Sequence, residues 1–308
     1  MSRLATTREE TPFFVHAGGE DIFGVLTAPT VEPRGIAALV LTGGAFVGAT
    51  NRNRVSVRIA RDLAAMGFHA VRMDYHGVGD STGDIDTYPL DRPFVEDILP
   101  AVQVMQERGV DRCVFVGTTC FGARTALSTA AKVPNVSGVV LLAAPIRDYP
   151  NSVNPDATPT QHYVRRALSP RTLATLRDPA KRRQYATTAR WKAGSAAGKV
   201  RSRLLPGEAA PVADGMSSSF YEPLAELAER RVPVLIGYGV EDRFYSEFLQ
   251  ARAKPRLGRL LDAPGSRIEL RTVEGSIHAL RRISAQDAMV ALTTDWLAEI
   301  HEGVSRAA

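Results

Sequence analysis

Two cysteines in 308 residues are too few for a disulfide-stapled scaffold or a cysteine-rich zinc centre. The sequence holds no Cys-x-x-Cys and no His-x-x-x-His, so neither a metal nor another cofactor is implied. No uncharged apolar run reaches the ~18 residues of a membrane-crossing helix. The opening MSRLATTREETPFF lacks the apolar stretch of a secretory leader, and a reducing, cytoplasmic setting is the expectation. What is present is ordinary for a folded chain. Apolar residues make up 44%, which excludes disorder as the dominant state, and the length suits one large or two modest domains.

The net charge of +5 is unevenly placed. Residues 161–204 carry twelve Lys and Arg against one acid, Asp178, so this segment is +11 and the remaining 264 residues sum to −6. A basic cluster of this kind attracts anions. A solvated helical face in an arginine-rich composition would read the same way.

Short β-branched runs alternate with helical ones. Thr11–Val15 and Ile22–Leu26 read as a strand pair around the turn-rich His16–Asp21. Ile36–Leu41, bracketed by Gly35 and Gly43, reads as a buried parallel strand. Val55, Ile59, Leu63 and Met66 recur at helical spacing until Gly67. Further strands are expected at His69–Asp74, Asp111–Gly117, Ser137–Pro145, Pro233–Gly239 and Ser266–Glu274. Helices are expected at Phe94–Arg108, Ala123–Ala131 and from Ser284 to about Ile300, the last opened by a Ser284/Asp287 capping box. Such alternation predicts a mostly parallel sheet with helices on both faces. The long stretch between the strands near Ala144 and Val234 shows no strand pattern and is too long for a loop. It predicts a helical cap over 147–231 inserted into a core of 1–146 and 232–308, with Ala193–Gly198 as a small-residue hinge.

The chemistry concentrates where the strand ending at Gly117 meets Thr118-Thr119-Cys120-Phe121-Gly122 and a helix follows. Strand, sharp turn and helix with a nucleophile at the turn form a nucleophile elbow, and the tight backbone demands small residues on either side. Gly122 meets that demand two residues after Cys120, while Thr118 meets it loosely two residues before. Thr119 is the poorer nucleophile because bulky Phe121 would stand two ahead of it. Cys113, in mid-strand, reads as an inert buried thiol. Cys120 heads a helix, whose N-terminus favours a thiolate.

A thiol nucleophile needs a base. Of the six histidines, His278 alone lies just after the last strand and before the last helix, on the sheet edge where the elbow opens. His76, just past His69–Asp74, is a candidate for lining the site. Asp242, after Pro233–Gly239, is the candidate acid, with Glu241 and Asp148 as rivals. The order Cys120, Asp242, His278 is nucleophile, acid, base. For an oxyanion, the Phe121 amide and either Gly44 or Ala45, in the loop after Ile36–Leu41, would supply N–H groups.

Elbow, acid and base in this order resemble the α/β-hydrolase superfamily over nearly the whole chain. Arg72-Met-Asp74-Tyr-His-Gly77-Val-Gly79-Asp80-Ser81-Thr-Gly83 resembles the loop after the fourth strand in many members, and Gly239-Val-Glu-Asp242 resembles their acid-bearing turn. The run from Gly43 through Asn51 and Arg54 to Asp80-Ser81 is similar to exosortase-associated hydrolases and to the serine-aminopeptidase-like group. A cysteine in the elbow is similar to dienelactone hydrolases, polyhydroxyalkanoate synthases and some biosynthetic thioesterases. The resemblance implies an eight-stranded, mostly parallel sheet with a helical cap. Thr118 and Cys120 depart from the usual glycine and serine.

The expected activity is covalent acyl transfer through a Cys120 acyl-enzyme, in a thioesterase or acyltransferase. Its small-molecule acyl donor would be carried on coenzyme A or an acyl carrier protein and met by Arg165, Arg166, Arg182 and Arg183 of the basic segment. The alternatives are a hydrolase of small esters, lactones or peptides, and a non-catalytic binding module on the same fold. No nucleic acid is needed to explain the charge.

Overall fold

The computed structural model describes residues 9–43, 47–85, 88–149 and 216–305, with side chains to His301. The expected cap falls mostly outside the described residues, with its hinge and Arg165, Arg166, Arg182 and Arg183. So do the oxyanion candidates Gly44 and Ala45. The described residues all belong to one compact unit, built from 1–153 and 214–308.

Strands β1 (Glu10–Ala17), β2 (Glu20–Thr27), β3 (Ile36–Leu41), β4 (His69–Met73), β5 (Arg112–Gly117), β6 (Val136–Leu142), β7 (Val234–Gly239) and β8 (Ile268–Val273) form one sheet. Its order is β1-β2-β4-β3-β5-β6-β7-β8. The β1–β2 and β2–β4 pairs are antiparallel and all others parallel. Strands β3 and β7 are buried at every position, which is why they read as unbroken apolar runs rather than alternating ones.

Helices α1 (Val55–Ala65), α2 (Val95–Glu107), α3 (Cys120–Lys132), α4 (Ser218–Glu229), α5 (Arg243–Arg252), α6 (Pro255–Leu261) and α7 (Ile283–Ser305), with a 3-10 turn at Arg52–Arg54, complete the described elements. Helix α1 packs with α7, and α3 packs with α2 and α4. Helix α4 lies within the sheet unit, although the sequence pattern closes the insertion only at 231. Its Ser217 amide bonds the Ile146 carbonyl at 2.8 Å, so the chain leaves the sheet unit and returns to it at one neck.

One local expectation is corrected, and the short helices α5 and α6 have no counterpart among the expected elements. The capping box is absent because α7 begins at Ile283, which places Ser284 inside the helix. Asp287 instead pairs with Arg58 of α1 at 2.6 Å, an ion pair between helices that neighbouring sequence cannot show.

The topology fixes where chemistry can sit. From β3 the chain steps to β4 on one side, then crosses to β5 on the other. The carboxyl ends of β3 and β5 therefore flank the switch point, the usual crevice of an open parallel sheet.

Candidate active site

At that switch point β5 turns into α3. Thr119 is extended, and Cys120 takes φ +41°, the left-handed region that costs a non-glycine residue energy. The amide of Cys120 bonds the Ala143 carbonyl at 3.3 Å, and the Ala143 amide bonds Gly237 at 2.8 Å, so the elbow is tied to the ends of β6 and β7. A Cβ on Gly122 would lie 2.3 Å from the Thr42 carbonyl oxygen, and one on Gly117 would lie 2.3 Å from the Ala123 Cα. The close approach thus demands glycine two residues after Cys120 and three before it. Thr118 is tolerated because its fully buried hydroxyl donates to the Leu41 carbonyl at 3.0 Å and receives the Asn51 side-chain amide at 3.2 Å.

Of the seven non-glycine residues with positive φ among the described residues, six (Asn51, Asn53, Arg54, Cys120, Ala143 and Leu280) lie at or beyond the carboxyl ends of their strands. Strain gathered at one edge is a common mark of a functional site.

The Cys120 side chain is half-buried. Burial pushes its thiol up to about 11, against opposing pulls from the Phe121 backbone amide and from Arg124. Cys113 is pushed up to about 12 by burial and stays inert in the sheet.

Asp242 is buried and spends both oxygens on the loop that follows β8. One receives the Ser276 hydroxyl at 2.5 Å and the His278 amide at 3.1 Å. The other receives the amides of Gly239 at 2.8 Å and Ile277 at 3.3 Å. Asp242 and His278, 36 residues apart, are thereby brought together through the backbone of the His278 loop. The His278 ring stands edge-on to Phe244, with centroids 4.7 Å apart. Arg52 reaches the Ala279 carbonyl at 3.4 Å, which links the same loop to the segment after β3.

The rivals go elsewhere. Glu241 is exposed. Asp148 pairs with Arg124 at 2.9 Å and accepts from Ser217 at 2.7 Å. His76 bonds Asp97 at 2.8 Å and packs on Phe94, which packs on Phe121, so it stands one aromatic ring away from the elbow.

Two residues that organise the site escaped the sequence reading. Arg124 is fully buried one turn along α3. It donates to the carbonyls of Leu90 and Pro145, to Asp148, and to the hydroxyls of Ser217 and Ser219, which closes the neck of the insertion. A lone charged residue in the otherwise uncharged run Ala123–Ala131 was its signal. Asp74 directly follows β4 and accepts from the amides of Ala49 and Asp80, clamping the loop after β3 to the Gly77–Ser81 turn. Burial raises its carboxyl above the usual range.

The arrangement offers a thiol on strained backbone and an imidazole loop held by a buried carboxylate, on neighbouring strand ends. A family model described as serine aminopeptidase, S33, matches residues 37–282. No curated protein sequence matches the chain. Among solved structures, the proline iminopeptidase of Mycobacterium smegmatis is 16% identical at a TM-score of 0.55, covering 96% of this chain and 100% of its own. A Pyrococcus furiosus esterase is 13% identical at 0.55, covering 95% and 91%. A haloalkane dehalogenase variant from Bradyrhizobium elkanii is 15% identical at 0.56, covering 97% and 100%. At such identities these likenesses carry the fold alone.

Proposed function

Because this chain belongs to the serine aminopeptidase (S33) family of α/β hydrolases, and is an α/β-hydrolase enzyme, we propose that it hydrolyses small esters, lactones or peptides through a Cys120 acyl-enzyme. The observation that carries this reading is the left-handed Cys120 at the switch point, where β5 turns into α3.

The thiol starts protonated, since burial raises it to about 11. His278 takes that proton as Sγ bonds to the substrate carbonyl carbon, and the carbonyl electron pair moves onto oxygen, where the Phe121 amide meets it. Collapse of this intermediate breaks the bond to the alcohol or amine, which leaves with the proton from His278. Water then attacks the thioester, gives a proton to His278, and releases the acid as the thiol is restored. Asp242 serves by holding the His278 loop.

Transfer from a coenzyme A or carrier-protein thioester is the second reading. It is supported by the near-thermoneutral exchange between one thioester and another and by the +11 segment 161–204. Intact-protein mass spectrometry after mixing with a nitrophenyl ester panel and an acyl-coenzyme A panel separates the two. An adduct from the esters, absent in Cys120→Ala and lost with release of acid, is expected. An adduct formed only from acyl-coenzyme A, and discharged only by an added alcohol or amine, would establish the transferase. No adduct from either panel would refute the covalent mechanism.

A further inference from the structure

Parallel strands give a sheet two chemically different edges. The candidate active site occupies the carboxyl edge. At the amino edge, where β5, β6, β7 and β8 begin, lies a cavity of about 430 Å³ lined by Arg112, Ser137, Arg230, Arg231, Arg267 and His301 among others. No Asp or Glu lines it.

Arg230 has a structural duty, since it donates to the carbonyls of Ala131, Val133 and Pro134 at the end of α3. Arg112, Arg231 and Arg267 have none: among the described residues their guanidinium groups make no hydrogen bond or ion pair. Arg231 also sits at φ +54° directly after α4, where glycine would cost least. His301 is a second, independent sign. It is only 7% exposed, yet its Nε2 has no hydrogen-bond partner. The buried unpaired nitrogen is costly, and the three guanidinium groups, exposed and without a protein acceptor, form a like-charged cluster beside it that a multiply charged anion would relieve.

We propose that this cavity is a binding site for a small phosphate-bearing polyanion of diphosphate size, on the face of the sheet domain opposite the reacting thiol. Guanidinium groups match phosphate oxygens in bidentate pairs, and the volume exceeds what a single phosphate fills. The ring of His301 faces Phe68 and feels Arg34, Arg112 and Arg267. With burial they push it down to about 4, so it is neutral when the site is empty. An anion that neutralises the arginines would raise it.

Calorimetric titration of the full chain with inorganic pyrophosphate, and separately with adenosine diphosphate, tests this, with the His301 ring followed by NMR. Saturable binding is expected, at least tenfold weaker in Arg112→Gln and Arg267→Gln, unchanged in Cys120→Ala, and accompanied by a rise of His301 by a unit or more. Both arginines are exposed, so these variants are expected to fold, and circular dichroism verifies that they do. Tighter binding of the nucleotide would place a nucleoside beside the phosphates. Equal binding would leave the diphosphate as the recognised group. Absence of saturable binding, binding unchanged in both arginine variants, or loss of binding only when Arg165, Arg166, Arg182 and Arg183 are neutralised would overturn the proposal.

Discussion

Replacing Asp242 with Asn keeps the shape of the side chain and changes one oxygen into a donor. In the wild type the carboxylate accepts from four groups, the amides of Gly239, Ile277 and His278 and the Ser276 hydroxyl. The asparagine oxygen can serve only the two on its own side. Its nitrogen then faces two further donors. Hydrogen bonds to a charged group contribute about 1.5–3 kcal/mol each, so the two lost bonds are worth about 3–6 kcal/mol before the loop adjusts. Relaxation of an edge loop recovers part of this, and a net loss of about 3 kcal/mol is expected. At 1.4 kcal/mol per decade that is roughly a 150-fold fall in the folded-to-unfolded ratio. Urea unfolding followed through buried Trp296 of α7 reads the change directly. Activity should fall with it, because the loop that carries His278 is no longer held. A variant that loses activity but stays within about 1 kcal/mol of wild type would refute the reasoning. Asp242 would then act on the imidazole itself rather than by tethering the backbone.

The Cys120 thiol, pushed up to about 11, should be alkylated by iodoacetamide about tenfold faster for each pH unit from 7 to 10, while Cys113 stays unlabelled until the chain unfolds. A rate that levels off below pH 9 would mean the thiol is already activated in the resting enzyme. His301 lies well below its unfolded value of 6.5, at about 4, because burial and then Arg112, Arg34 and Arg267 disfavour its charge. The unfolded chain therefore binds its proton first, and the stabilisation is complete above pH 6.5, falls as pH drops toward 4, and levels off below. That difference corresponds to about 3 kcal/mol, and urea midpoints for His301→Leu should show a shallower acid slope than wild type. Equal slopes would show that His301 is not the group responsible. Gly122→Ala should destabilise by about 2 kcal/mol or more, because its Cβ would lie 2.3 Å from the Thr42 carbonyl oxygen and only backbone movement can make room. An unchanged melting temperature would show that the elbow is looser than its contacts imply.

The eight strands were legible because each obeys a local rule. Buried parallel strands such as Ile36–Leu41 read as unbroken apolar runs, and glycines mark their ends. The strand–turn–helix at Gly117–Gly122, and the order of Cys120, Asp242 and His278 along the chain, were legible for the same reason: each falls at a strand end that can be counted off. The detail of the elbow was less so. The small residue expected two before Cys120 is Thr118, whereas the close approach falls on Gly117, because the contact is with Ala123 of the helix that folds back over it.

The roles of the charged residues could not be read along the chain at all. Arg124 meets Ser217 across 93 residues, Asp242 meets the His278 loop across 36, and Arg58 meets Asp287 across 229. Local periodicity says which face of an element is apolar and so builds the sheet, but it carries nothing about which distant polar group will share a burial site. The arginines 112, 231 and 267 look like scattered surface charge in sequence, and they line one cavity because parallel strands align their amino ends on a common edge. Residue order and composition settled the class of fold and placed Cys120, Asp242 and His278 at strand ends on one edge of the sheet. The crossing of strands at the β3–β5 switch point, and the pairing of buried charges that follows from it, settled what each of those residues touches.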